Sequence, residues 1–140
     1  MSGRRRRTSR VLVWASALLV SLSACGGAGG RSAEVSAAAA ALERSLADGD
    51  RAATCAALAP ETLGEVEEAE KKACVDAIGT QDLPPGGRVR AVDVYGRQAR
   101  AVLASDTLFL SRFPDGWKIV AAGCRPSRPD RPYQCSVEGG

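Results

Sequence analysis

The stretch Arg88–Ala122, RVRAVDVYGRQARAVLASDTLFLSRFPDGWKIVAA, decides the fold. It divides into four runs of strand-like composition: Arg88–Tyr95, Gln98–Leu103, Thr107–Phe113 and Trp117–Ala122. Gly96-Arg97, Ala104-Ser105-Asp106 and Pro114-Asp115-Gly116 separate them, each of hairpin length and each rich in turn formers. Four runs joined this way predict an antiparallel meander. Side chains alternate across a strand, so Trp117, Ile119 and Ala121 share one face, as do Leu108 and Leu110. In the first run the apolar phase slips from Val89 and Ala91 to Val92 and Val94. A bulge there, or burial of both faces, would reconcile it. Beyond the meander, Tyr133-Gln134-Cys135-Ser136-Val137 alternates again and is expected as a short edge strand.

Before the meander the period is helical. Val35, Ala38, Ala39, Leu42 and Leu46 fall on one stripe, with Ser32 as N-cap and Gly49 as terminator. Asp50 is positioned to cap a second, shorter helix through Leu58, stopped by Pro60. Thr62 and Glu65 form a capping-box pair for a third. Its expected apolar face is Leu63, Val66, Ala69, Ala73 and Ile78, with Gly79 as C-cap. Glu65, Glu67, Glu68 and Glu70 are expected as solvated surface. Leu83-Pro84-Pro85-Gly86-Gly87 then ends the helical half. The expected class is α+β: three N-terminal helices packed on a curled four-stranded meander.

The N-terminus reads as an address. Arg4, Arg5, Arg6, Arg7 and Arg10 form a cationic region before Val11–Leu22, an apolar core of 12 residues. A spanning helix needs ~20 residues, so this core has signal-peptide dimensions. Arg6-Arg7 raises the twin-arginine route, but Thr8, Ser9 and Arg10 follow where apolar residues are wanted, which favours general secretion. Leu22-Ser23-Ala24-Cys25 resembles the bacterial lipobox. The resemblance implies cleavage between Ala24 and Cys25 and a diacylglyceryl group on the Cys25 sulfur. Two acyl chains suffice for stable anchoring where one does not. The expected organisation is therefore a leader over 1–24, a lipidated Cys25 with a flexible Gly-rich tether over 25–32, and one domain over 33–140. The expected location is the extracytoplasmic face of the cell membrane.

Charge is consistent with this address. The chain carries 19 Lys and Arg against 16 Asp and Glu; without the five leader arginines, 14 remain and the net charge is −2. A nucleic-acid partner is not expected. Histidine is absent from the sequence, which removes the commonest general base and the commonest metal ligand. No cofactor is expected. Cys55, Cys74, Cys124 and Cys135 are an even set in an exported chain, so disulfides are expected over a metal site, for which no CxxC pair speaks. Of the three possible pairings, Cys55–Cys74 and Cys124–Cys135 are favoured; they close short loops of 18 and 10 intervening residues.

Gly116-Trp117-Lys118-Ile119-Val120-Ala121-Ala122-Gly123-Cys124-Arg125-Pro126, with Pro132-Tyr133-Gln134-Cys135 beyond it, resembles uncharacterised actinobacterial secreted lipoproteins with a Gly-Trp final strand. The helices-then-meander order is similar to the cystatin-like α+β cone of nuclear transport factor two, ketosteroid isomerase and scytalone dehydratase. That resemblance implies an acid/base group in the mouth of the sheet. The dehydratase histidine has no counterpart here. Asp93 and Tyr95, on one face of the first strand, are the nearest approach to such a pair. Turned into a pocket they would fit a cone-fold enzyme or a carrier of a small apolar molecule. Turned to solvent, Asp93 would meet Arg88 or Arg90.

Arg125-Pro126, Arg128-Pro129 and Arg131-Pro132 repeat with period three, which in a straight polyproline II segment would align the arginines. A Cys124–Cys135 bridge opposes a straight segment, because bridged Cα atoms must lie within ~7 Å. A stiff solvated loop is the expectation. The sequence thus predicts a non-enzymatic, membrane-tethered binding or interaction module, its partner a protein or a small apolar ligand.

Overall fold

A computed structural model of the protein describes residues 27–128 and 132–139. The leader, Ala24, Cys25 and Arg131 lie outside the described residues. Helices come first: α1 (Ala28–Asp48), α2 (Arg51–Ala57), α3 (Pro60–Glu70) and α4 (Cys74–Ala77), which runs on into a 3-10 turn at Ile78–Thr80. Six strands follow: β1 (Ala91–Tyr95), β2 (Gln98–Val102), β3 (Thr107–Phe113), β4 (Gly116–Pro126), β5 (Tyr133–Gln134) and β6 (Val137–Glu138). All pair antiparallel, in the order β1-β2-β3-β4, with β5 and β6 both on the far edge of β4. The sheet is not closed. The α+β class and the meander are as expected; the numbers of helices and strands are larger.

The core forms where the apolar stripe of α1 meets the sheet. Val35, Ala39 and Leu42 are buried against Ala99, Leu108, Leu110 and Ile119. α1 begins at Ala28 behind Gly27, before the expected Ser32 cap, so the Gly-rich stretch expected as tether is helical from Ala28 onward. It ends as expected at Gly49 (φ 68°), whose N–H donates to the Leu46 carbonyl at 3.2 Å. Asp50 caps α2, accepting the Ala53 N–H at 3.0 Å. The corner between the two helices is closed by buried hydroxyls: Thr54 Oγ1 lies 2.9 Å from Ser45 Oγ.

The expected third helix is divided. It starts at Pro60, in the first turn, where a missing N–H is harmless, rather than at a Thr62–Glu65 capping box. It ends at Lys71, which takes a left-handed φ of 52°, and the chain restarts at Cys74. Glu67, expected as mere surface, accepts the Cys74 N–H at 2.9 Å and so caps the break. Ala69 and Ala73, expected on the apolar face, are exposed as a result. The bridge of Cys55 to Cys74, with Cα atoms 6.0 Å apart, holds the break against α2.

The strands also differ in detail. β1 runs in regular register with β2, with no bulge. Its phase slip arises because Val89 lies before the strand: Val92 and Val94 point to the core and Val89 reaches it from the preceding loop. The irregularity is instead between β3 and β4, where the pairing shifts from Thr107↔Cys124 through Phe109↔Ala121 to Leu110↔Ile119. That leaves Ala121 and Ala122 both buried and puts Gly123 at φ 68°. β4 is longer than expected and its outer edge is covered in three pieces. Ala59 donates to the Ile119 carbonyl at 2.7 Å, β6 pairs with Ala121 and Ala122, and β5 pairs with Arg125 and Pro126. The single edge strand expected over Tyr133–Val137 is therefore two, split at Cys135.

Candidate functional site

Two buried carboxylates flank the Pro84–Gly87 connection between the helical half and the sheet. Glu43 projects from α1 and is only 8 % exposed. Its Oε2 accepts the Gly87 N–H at 2.8 Å, and its Oε1 is buried without a partner among the described residues. Asp106, at the β2–β3 turn, accepts the N–H groups of Thr107 and, at 3.0 Å, of Gly123. Burial raises the pKa of Glu43; the N–H groups of Gly87 and Gly86 act against it, and the Asp106 charge acts with it. Burial likewise raises the pKa of Asp106, opposed by the N–H groups of Gly123, Thr107 and Cys124 and by the Arg125 charge.

Glycine makes this arrangement possible. A Cβ on Gly86 would stand 2.4 Å from the Asp106 Cβ, and one on Gly123 2.6 Å from Ser136 Oγ. Gly86 lets backbone come within contact of the Asp106 side chain, and Gly123 lets β4 pass close to Ser136.

Asp106 is among the residues lining a cavity of about 250 Å³. Asp82, Arg125, Gln134 and Ser136 supply its exposed polar walls, and Cys135 of the second bridge is part of the lining. The bridge brings the Cys124 and Cys135 Cα atoms to 3.9 Å, so it ties Arg125 on β4 to Gln134 on β5. A shallower groove of about 440 Å³ lies on the other side of the same connection, between α1 and Pro85–Val89, with Glu43, Arg44 and Arg88 among its walls.

The residues singled out from sequence fall elsewhere. Asp93 and Tyr95 lie on the outer face of the sheet, opposite the core-facing Val92 and Val94. Asp93 is ion-paired at 2.7 Å with Arg100, its cross-strand neighbour, rather than with Arg88 or Arg90. Tyr95 is 65 % exposed. Neither lines a cavity described above. Arg100 also approaches the Tyr133 hydroxyl at 3.5 Å, and Tyr133 meets Phe109 edge-on with centroids 5.0 Å apart. Both disulfides are those expected, so the four cysteines are structural. The Arg-Pro repeat is not one straight helix, since Arg125 and Pro126 belong to β4. Among the described residues no group of three or more His, Cys, Asp and Glu is placed to hold a metal, and no helix is long and apolar enough to cross a membrane.

Sequence reasoning passed over Glu43 and Asp106. Glu43 sits beside the apolar stripe of α1, and Asp106 is a turn former in a hairpin, where aspartate is normally solvated. The signal for Asp106 was Gly123, since a glycine inside a strand marks a bulge or a close approach of backbone.

Compared with protein-family models, curated proteins and solved structures, the chain matches none of them.

Proposed function

We propose that the protein is an exported lipoprotein, anchored by a diacylglyceryl group on Cys25 at the extracytoplasmic face of the cell membrane, and that its domain is a non-enzymatic binding module. The observation that carries this reading is the pair of disulfides, Cys55–Cys74 and Cys124–Cys135. Disulfides form and persist in oxidising compartments, as an exported domain requires. The cationic and apolar leader ending in Leu22-Ser23-Ala24-Cys25 supports the anchor. Because α1 starts at Ala28, Cys25 stands at most about 11 Å from it at full extension. An anchored domain would thus sit against the headgroups rather than at the end of a long tether.

The acidic residues support binding over proton transfer. Glu43 and Asp106 are both engaged by backbone N–H groups, and the hydrogen bonds of Asp106 serve to hold the β3–β4 irregularity. The helix-then-meander order supports a fold-level likeness to the cystatin-like cones, here with an open sheet. The test is Cys25→Ser. Fatty-acid labelling should disappear and the protein should leave the membrane fraction or remain uncleaved. A variant that still labels and still sediments with membranes would refute the anchor.

A further inference from the structure

We infer that the cavity over Asp106 binds a small zwitterion of the size of a free α-amino acid, its anionic group on Arg125 and its ammonium group between Asp82 and Asp106. The inference rests on the reading of the domain as a binding module and names the class of ligand.

The walls define the chemistry. One guanidinium, Arg125, and one exposed carboxylate, Asp82, face the same cavity, and no ion pair or side-chain hydrogen bond engages either among the described residues. The side chains of Gln134 and Ser136 are likewise without a hydrogen bond among the described residues. Asp82 and Arg125 form no ion pair with each other, and Arg125 acts on Asp106 only through its charge; opposite charges held apart in one cavity are complementary to a ligand carrying both signs. Arg125 offers a planar fork of N–H donors suited to a carboxylate. Asp106 is a second carboxylate in the lining. A carboxylate can accept about four hydrogen bonds, so beyond the N–H groups of Thr107, Gly123 and Cys124 it keeps one acceptor position for an ammonium group.

Size and polarity narrow the class. Drug-sized ligands occupy pockets from ~300 Å³ upward and rest on mainly apolar walls. This cavity, at about 250 Å³, is smaller, and Asp82, Ser105, Asp106, Arg125, Gln134 and Ser136 make its walls polar. A small apolar molecule would leave those groups desolvated and unpaired. The cavity is also built to keep its shape, since the Cys124–Cys135 bridge holds one wall and Asp106 holds Gly123 beneath it.

The test is calorimetric titration of the purified full chain in detergent with glycine, L-serine and L-glutamine. Glycinamide, N-acetylglycine and glycerol serve as probes lacking the anion, the cation or both. Saturable binding is expected for at least one of the three amino acids, weakened at least about tenfold in its amide and N-acetyl counterparts. Arg125→Gln and Asp82→Asn should each weaken it by a similar factor while melting normally, because both side chains are exposed. In the unmodified chain the amide resonances of Gly123 and Ser136 should shift with ligand. Absence of saturable binding, equal binding of glycerol, undiminished binding by either folded variant, or shifts confined to other parts of the domain would each overturn the inference. Failure here would leave the Cys25 anchor untouched, and a failed Cys25 test would leave these titrations unchanged.

Discussion

Asp106 accepts the backbone N–H of Gly123 at 3.0 Å, joining the β2–β3 turn to the point where β4 slips register. Gly123 holds φ at 68°, a left-handed value that costs an ordinary residue free energy, and a Cβ there would stand 2.6 Å from Ser136 Oγ. Gly123→Ala should therefore destabilise the domain by more than about 2 kcal/mol, strain and collision together. Urea unfolding measures this, and a loss under about 0.5 kcal/mol, the range of ordinary surface changes, would show that the register shift does not need glycine.

Glu43 and Asp106 predict a pH dependence. Burial raises both pKa values above the ordinary 4.5 and 3.8, so the native state holds protons that the unfolded chain has released. The stability they contribute is complete below those ordinary values and is lost as pH rises through the folded-state ones. The melting temperature should fall across that acidic window in the unmodified protein. Glu43→Gln and Asp106→Asn, which cannot ionise, should each flatten the slope. An unchanged slope in both variants would exclude these carboxylates as its source.

The two bridges should contribute similarly. Cys55–Cys74 and Cys124–Cys135 span sequence separations of 19 and 11. In the chain-entropy model each is worth about 3 kcal/mol. Replacing either pair by alanine should lower the unfolding free energy by about that amount in urea titrations. Non-reducing peptide mapping of the unmodified chain should recover these two pairings and no crossed form.

Thr62 is fully buried, and its hydroxyl donates to the Val120 carbonyl at 3.0 Å, the same carbonyl that accepts the Gly139 N–H at 2.9 Å. Thr62→Val keeps the shape and removes the donor. The expected cost is about 1 kcal/mol, and hydrogen exchange at Val137–Gly139 should quicken as β6 loosens. Unaltered exchange there would mean that β6 is held without α3.

Much of the architecture was legible along the chain because it is encoded locally. The alternation over Thr107–Phe113, the turn formers around it and the stripe Val35, Ala39, Leu42 each carry their own period, so the meander and the first helix follow from sequence. Gly49 and Asp50 announce a helix end and a helix start by their own chemistry. The cysteine pairing was legible only as a preference among three, resting on the short loops it closes. The break after Glu70 was not, since Lys71 adopts its left-handed turn for the sake of the Cys55–Cys74 bridge and the Glu67 cap, both formed only in three dimensions.

By itself, then, the sequence determined the element types, the α1 stripe and the cationic-then-apolar pattern of the N-terminus, each read from residues near one another in the chain, and it favoured the cysteine pairs without deciding them. Only the tertiary structure decided the site. Asp93, prominent on its strand, is paired to Arg100 on the outer face, because the packing of Val92 and Val94 turns it away from the core. Asp106 and Glu43, inconspicuous in sequence, are drawn inward by backbone N–H groups of Gly87, Thr107 and Gly123, and Arg125 and Asp82, far apart in the chain, line one cavity. Burial and charge are properties of what surrounds a side chain, and those surroundings come from segments tens of residues apart.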